Sequence, residues 1–223
     1  MPPLAHLSAM LFDLDGTLLD TAPDMIAVLD QLMIEESREP LDYEHARAHV
    51  SNGSLGLIDI AFGKLEEAHR LSLRDRYLDL YEQHLATRTA PFEGIDTVLD
   101  HLEKANIPWG VVTNKPGYLT EPLLETLELL SRCACVISGD TLPERKPHPL
   151  PLLYAADLIG IEPSQVIYVG DANRDIEAGR AAGMTTVAAT CGFIMPDDDP
   201  INWHADHYID APMELLSLVN QYA

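Results

Sequence analysis

Positive charge is scarce in this sequence: 14 Lys and Arg stand against 36 Asp and Glu in 223 residues, a formal net charge of −22 with histidine neutral. That scarcity excludes nucleic acid as a partner, because phosphate-backbone binding rests on clustered Lys and Arg that release counterions, and no such run is present. Anionic membrane surfaces are disfavoured for the same reason. Cysteine is scarcer still. Cys133, Cys135 and Cys191 are odd in number and lack C-x-x-C spacing, which argues against a disulfide framework, a redox pair and a zinc knuckle. Alternation along CACVIS predicts that Cys133 and Cys135 share one buried face. No run approaches the roughly 18 apolar residues of a transmembrane helix, and MPPLAHLSAMLFD has no positive charge ahead of its apolar stretch, unlike a signal peptide. Repeats and low-complexity segments are missing, apart from an acidic run at 197–199. A soluble, cytoplasmic protein is expected.

What is present is apolar material, 47% of residues against 22% charged, ample for a globular core. Five short apolar runs read as strands: AMLF before Asp13, IPWGVVT from Ile107, CACVIS from Cys133, VIYVG from Val166 and TTVAAT from Thr185. Their hydrophobicity is continuous rather than alternating, the mark of strands covered on both faces of a parallel sheet. Helical segments separate the last four. One has Leu119, Leu123, Leu127 and Leu130 as its stripe, and another follows PHPLP. A last strand near DHYID and a helix from Pro212 finish a doubly wound α/β domain. More than ninety residues lie between Asp13 and Ile107, far more than a crossover needs. Thr21 can cap a helix there, with Pro23 in its first turn and Ile26, Leu29 and Met33 as its stripe. Tyr77, Leu80, Tyr81, His84 and Leu85 define another. The expected organisation is a core at 1–20 and 89–223 with a helical insertion at 21–88, returned through TAPFEGI.

Ligands of open α/β sheets bind beyond the carboxyl ends of the strands, so the polar residues ending each run carry the function. The first ends in DLDGT with Asp13, Asp15 and Thr17, the second in TNK with Thr113 and Asn114, and the fourth in GDANRD with Asp171 and Asp175. Lys146 follows the third in RKPHP. Four carboxylates and a lysine are thus expected at one sheet edge, a repulsive set that calls for a hard divalent cation such as Mg²⁺.

These four motifs, in this order and over nearly the whole chain, resemble the haloacid dehalogenase superfamily. DGTLLDTAPD is similar to its phosphoglycolate phosphatase branch, and GDANRDIEAGRAAGM with CGFIMPDDDPINWHAD is similar to the N-acetylmuramic acid 6-phosphate phosphatases within that branch. The resemblance implies a Rossmann-like core with an all-helical C1-type cap and a Mg²⁺-dependent phosphomonoesterase working through an aspartyl phosphate. Asp13 would be the nucleophile, Asp15 the general acid and base, and Thr113, Thr17 and the Asn114 N–H phosphoryl ligands, with Lys146 offsetting charge. Asp13, the Asp15 carbonyl, Asp171 and Asp175 would serve the metal, Asp175 directly or through water. The cap loop with Ser51, Asn52 and Gly53 would contact the leaving group of a small phosphate monoester. SNGSLG lacks the spacing of a nucleotide loop, and His45, Arg47 and His49 before it read as solvated.

Asp15 argues against dehalogenation, which needs no leaving-group acid, and HVSNGSLGLI lacks the cap lysine of a phosphonatase. Three alternatives to hydrolysis of the amino-sugar acid phosphate stay open. They are hydrolysis of 2-phosphoglycolate, β-phosphoglucomutase-like transfer, and a regulatory module whose Asp13 is phosphorylated without turnover. Monomer and homodimer are not distinguished by sequence.

Overall fold

A computed structural model describes residues 6–222; residues 1–5 and 223, the ends of the expected core segments, lie outside the described residues. The chain runs β1 (Ala9–Phe12), β2 (Leu19–Asp20), α1 (Ala22–Glu35), α2 (Tyr43–Ala48), α3 (Gly53–Phe62), α4 (Glu67–Gln83) and β3 (Ala90–Pro91). It continues through α5 (Ile95–Lys104), β4 (Trp109–Val112), α6 (Gly117–Thr126), β5 (Val136–Ile137), α7 (Leu150–Ile159), β6 (Val166–Gly170), α8 (Asn173–Ala182), β7 (Thr185–Ala189), β8 (His207–Ile209) and α9 (Leu215–Tyr222). Six strands form one parallel sheet in the order β5-β4-β1-β6-β7-β8.

The continuous hydrophobicity of the strands has its expected cause. Met10 and Phe12 of β1 enter one buried cluster with Leu99, Leu123 and Val219 of α5, α6 and α9. Ala9 and Leu11 enter another with Leu152, Ala155 and Ala178 of α7 and α8. Both parities of the strand are therefore covered by helices, the doubly wound arrangement. Phe12 pairs with Val111 on one side and Val169 on the other, so Asp13 leaves the sheet between the tips of β4 and β6. This is where the chain order reverses and where such sheets bind ligands.

Helices α1 to α4 lie between β2 and β3, which pair antiparallel as a two-stranded ribbon. Ile26, Leu29 and Met33 of α1 pack with Leu57 and Ile58 of α3 and Leu73, Tyr77 and Tyr81 of α4, and the cluster reaches Leu119 and Phe193 outside the insertion. Asp24, buried in the first turn of α1, accepts from the backbone N–H of Arg88 at 2.8 Å and of Thr89 at 2.9 Å and from the Thr89 hydroxyl at 2.7 Å. One carboxylate thus ties the start of the insertion to its end.

Four local expectations are corrected. Thr21 makes no side-chain cap bond, because its backbone is already helical at φ −90° and ψ −7°; its hydroxyl is buried without a partner among the described residues, and Asp20 accepts from Ala22 N instead, at 3.3 Å. Helix α6 starts at Gly117 and stops at Thr126, so Leu127 and Leu130 pack on the core from the following turn, where Glu128 has φ +58°. Cys133 and Cys135 precede β5 rather than lie in it. The period of two has not begun there, and they pack into clusters on opposite faces of the sheet. In α4 the stripe begins earlier, at Leu73, and His84 is exposed as the residue that caps the helix C-terminus.

Replacing Asp24 by Ala strands buried donors, which cost roughly 1–3 kcal/mol each when unpaired. Urea unfolding of Asp24→Ala is expected to show a loss of about 2–4 kcal/mol, with Asp24→Asn losing less because its carbonyl still accepts.

Candidate active site

Asp13, Asp171 and Asp175 converge at the strand tips, each at most 3% exposed, with one carboxylate oxygen of each within 4.8 Å of the others. The ammonium of Lys146 enters this cluster from the loop before α7, 2.9 Å from Asp13 Oδ1 and 2.7 Å from Asp175 Oδ1. It also donates to the Val112 carbonyl at 2.9 Å and the Tyr168 hydroxyl at 2.7 Å. The Asn114 side chain fixes the Lys146 loop. Its amide donates to Lys146 O at 2.9 Å and its carbonyl accepts from Lys146 N at 3.1 Å. That side chain therefore bridges two loops, which leaves its backbone N–H as the group available for a ligand.

Asp171 accepts from Phe193 N at 2.9 Å, from the Ser51 hydroxyl at 2.8 Å and, weakly, from the Thr17 hydroxyl at 3.5 Å. Burial, with Asp13 and Asp175 close by, pushes its pKa up to about 7. Burial also raises the pKa of Asp175, although Lys146 opposes the shift. Asp175 caps its own helix, accepting from Ala172 N at 3.1 Å. The glycines flanking this pocket are required. Gly16 has φ +88°, and a Cβ there would lie 2.1 Å from Asp171 Oδ2, while one on Gly192 would lie 2.5 Å from Gly16 O.

The expected group of four carboxylates divides into three and one. Asp15, displaced by the Gly16 turn, pairs with Lys115 at 2.9 Å. Lys115 in turn donates to the Tyr81 hydroxyl at 3.1 Å. Burial opposes charge on Lys115, but Asp15 and Tyr81 hold its pKa above the ordinary lysine value. In front of Asp13 and Asp15 opens a cavity of about 590 Å³. Thr113, Asn114 and Lys146 line it from the core, and Ser51, Asn52 and Gly53 from the insertion. Thr17 is turned to Asp171 and is not among the lining residues. The SNGSLG segment is not an open loop: residues 50–52 make one 3₁₀ turn and α3 begins at Gly53, its N-terminus toward the cavity. Asn52 donates to Met195 Sδ at 3.4 Å.

Sequence reasoning missed several residues here. Lys115 stands in the quoted TNK, yet its pairing with Asp15 depends on contacts a hundred residues apart. Tyr77 and Tyr81, read only as an apolar stripe, line the cavity together with Arg74, Arg145 and Arg174. Arg47, expected in solvent, is half-buried, pairs with Asp20 at 2.7 Å and lies over the Phe193 ring at 4.7 Å. His45 is exposed, and its ring lies against that of half-buried His49 at a tilt of 56°.

The fold and this strand-tip cluster define a class of Rossmann-like hydrolases. Residues 10–189 match the family model of the haloacid dehalogenase-like hydrolases, and the chain belongs to that family. It is 48% identical to a protein named phosphoglycolate phosphatase from Xanthomonas campestris pv. campestris, over 93% of this chain and 94% of that one. It is 42% identical to a protein named N-acetylmuramic acid 6-phosphate phosphatase from Pseudomonas aeruginosa, over 97% and 96%. A crystal structure described as a predicted phosphoglycolate phosphatase from Haemophilus somnus superposes with a TM-score of 0.85 at 25% identity, covering 95% of this chain and 97% of that one. The chain is a phosphatase of this family acting on small phosphates. Among the described residues, no helix is long and apolar enough to cross a membrane.

A carboxyl group whose pKa is higher folded than unfolded stabilises the fold below its unfolded value and loses that contribution as pH rises through its folded value. For Asp171 the window runs from about pH 4 to about 7. In chelator, Asp171→Asn is expected to gain stability over the wild type across that window, by a few kcal/mol, as read by urea unfolding at each pH.

Proposed function

We propose that the chain hydrolyses N-acetylmuramic acid 6-phosphate through a phosphoaspartate on Asp13. The observation that carries the substrate is the cavity of about 590 Å³. It lies within the range of pockets that enclose drug-sized ligands, more space than phosphoglycolate, a two-carbon acid phosphate, would fill. The Pseudomonas relative's name supports the same reading.

In the first step a carboxylate oxygen of Asp13 attacks phosphorus in line; the ester P–O bond breaks, and the leaving alkoxide takes a proton from Asp15. In the second, water attacks the phosphoaspartate, its proton passes to Asp15, and the P–O bond to Asp13 breaks to release phosphate. Lys115 holds Asp15 through Oδ1, which leaves Oδ2 for proton transfer. Lys146 offsets the charge of Asp13 and of the incoming phosphoryl group, while Thr113 and the Asn114 N–H donate to the phosphoryl oxygens. The buried triad, all oxygen donors and short of positive charge, fits Mg²⁺. Asp13, Asp171 and the Asp15 carbonyl would hold the ion, with Asp175 supporting through Lys146 or water. When bound, it would neutralise the carboxylates and polarise the phosphoryl oxygens. Residues 21–88 would act as the cap, with Ser51, Asn52 and Gly53 excluding water and contacting the leaving group.

Asp13→Asn, which lacks the anionic nucleophile, is expected to lower kcat more than about a hundredfold with an unchanged circular dichroism spectrum. Retention of more than about a tenth of kcat would overturn its role. EDTA is expected to silence turnover and Mg²⁺ to restore it; full turnover in chelator contradicts the metal assignment. Steady-state kinetics test the substrate: kcat/KM is expected to be higher for N-acetylmuramic acid 6-phosphate than for 2-phosphoglycolate. The reverse order makes the chain a phosphoglycolate phosphatase. Asn52→Ala is expected to narrow that preference by about 1–3 kcal/mol, because a site built around hydrogen bonds rejects ligands that leave them unpaired.

A further inference from the structure

A chain with 36 acidic and 14 basic side chains lines its main cavity the other way round, with Arg74, Lys115, Arg145, Lys146 and Arg174 against Asp13 and Asp15. Three of these five cations are committed. Lys115 pairs with Asp15, Lys146 with Asp13 and Asp175, and Arg74 with its neighbour Asp75 at 2.6 Å. Arg145 and Arg174 make no ion pair or side-chain hydrogen bond among the described residues. By contrast, Arg47, Arg70, Arg76 and Arg132 each hold a carboxylate.

Their position is set by the catalytic cluster itself. Arg145 directly precedes Lys146, Arg174 directly precedes Asp175, and Lys146 and Asp175 are joined at 2.7 Å. The Lys146 loop and the first turn of α8 are therefore pinned together, and both arginines line the one cavity, Arg145 from its exposed rim. Arg174 is half-buried; burial opposes its charge, and the nearby carboxylates of Asp175, Asp13 and Asp171 favour it, but among the described residues none of them accepts a hydrogen bond from its guanidinium, whose N–H groups are left for a ligand in the cavity. The transferring phosphoryl group is already served by Lys146, Thr113 and whatever cation the acidic triad holds. A second anion on the substrate is the unmatched requirement. A guanidinium presents paired N–H groups that fit a carboxylate in two parallel hydrogen bonds.

We infer that Arg145 and Arg174 form a second anion subsite that reads a carboxylate on the leaving group, so that the substrates are phosphate monoesters of carboxylic acids. The inference rests on the phosphomonoesterase reading of this cavity but not on the size of the leaving group. A glycolate and a lactyl ether of a sugar would both supply the anion.

Two matched substrate pairs separate these terms: 2-phosphoglycolate with ethyl phosphate, and N-acetylmuramic acid 6-phosphate with N-acetylglucosamine 6-phosphate. Within each pair only one member carries a carboxylate. In the wild type, kcat/KM is expected to favour the acid by at least about tenfold in one or both pairs, the scale of one charge-assisted bidentate contact. Arg145→Gln and Arg174→Gln are each expected to reduce that ratio about tenfold, mainly through KM. Arg145→Lys and Arg174→Lys, which keep the charge and lose the fork, are expected to fall between and serve if a glutamine variant does not fold. A wild-type ratio near one in both pairs overturns the subsite. Equal losses on both members of a pair also overturn it, by assigning the arginines to the phosphoryl group. A preference for 2-phosphoglycolate over the sugar phosphate would defeat the proposed substrate while leaving the subsite standing if the ratios still fall in the variants.

Discussion

The buried ammonium of Lys146 is the contact on which the arrangement of the site depends. It bridges Asp13 and Asp175 and donates to Val112 O and Tyr168 Oη, so one positive charge joins the tips of β1, β4 and β6 to the first turn of α8. Asp13, Asp171 and Asp175 bring three carboxyl groups into a space almost closed to solvent. Without a cation among them, burial and mutual repulsion would force protons onto them. Burial and the neighbouring carboxylates raise the pKa values of Asp171 and Asp175 even though Arg174 opposes both shifts and Lys146 that of Asp175. That deficit of positive charge is what the proposed Mg²⁺ would meet, and the Asn114 bridge to the Lys146 backbone holds that lysine in register with the Asp13 carboxylate.

The contacts between the helical insertion and the sheet are of two kinds. At the ribbon of β2 and β3, Asp24 makes buried hydrogen bonds to Arg88 and Thr89, where water cannot substitute without local unfolding. At the mouth of the cavity, the contacts are Ser51 to Asp171, Arg47 to Asp20 and Asn52 to Met195, polar and at least partly solvated. Such contacts contribute little net energy because water competes for both partners. A firm base and a lightly held rim accord with the cap role proposed for residues 21–88. Ser51 is the most telling of these, since it joins the insertion directly to an oxygen of the acidic triad.

Much of this was legible in the sequence. Continuous hydrophobicity in AMLF and VIYVG follows from helices on both faces, and DLDGT, TNK, RKPHP and GDANRD name the strand tips from which polar groups must project. The failures share a cause. Cys133 and Cys135 were assigned one face because period two was extended beyond the two residues that pair. Leu127 and Leu130 were assigned to a helix because a stripe persists in spacing after the backbone has turned. Thr21 has the residue type of a cap, but its backbone conformation prevents the bond. In each, the residue pattern is correct and the chain direction is not, and chain direction is set by packing.

The sequence by itself determined the fold class and the inventory of charged groups at the carboxyl edge of the sheet, because both follow from local periodicity and from motifs a few residues long. Only the tertiary structure decided how those charges are shared. It pairs Asp15 with Lys115 apart from the triad, brings Ser51 from the insertion onto Asp171, and leaves Arg145 and Arg174 without an ion pair among the described residues, in a cavity of an otherwise strongly acidic chain. Those assignments depend on distances between residues as many as 120 positions apart. Hydrogen bonds need contact within about 3 Å and charges at the surface are screened beyond roughly 10 Å, so no spacing along the chain can encode these pairings until the sheet has brought the strand tips together.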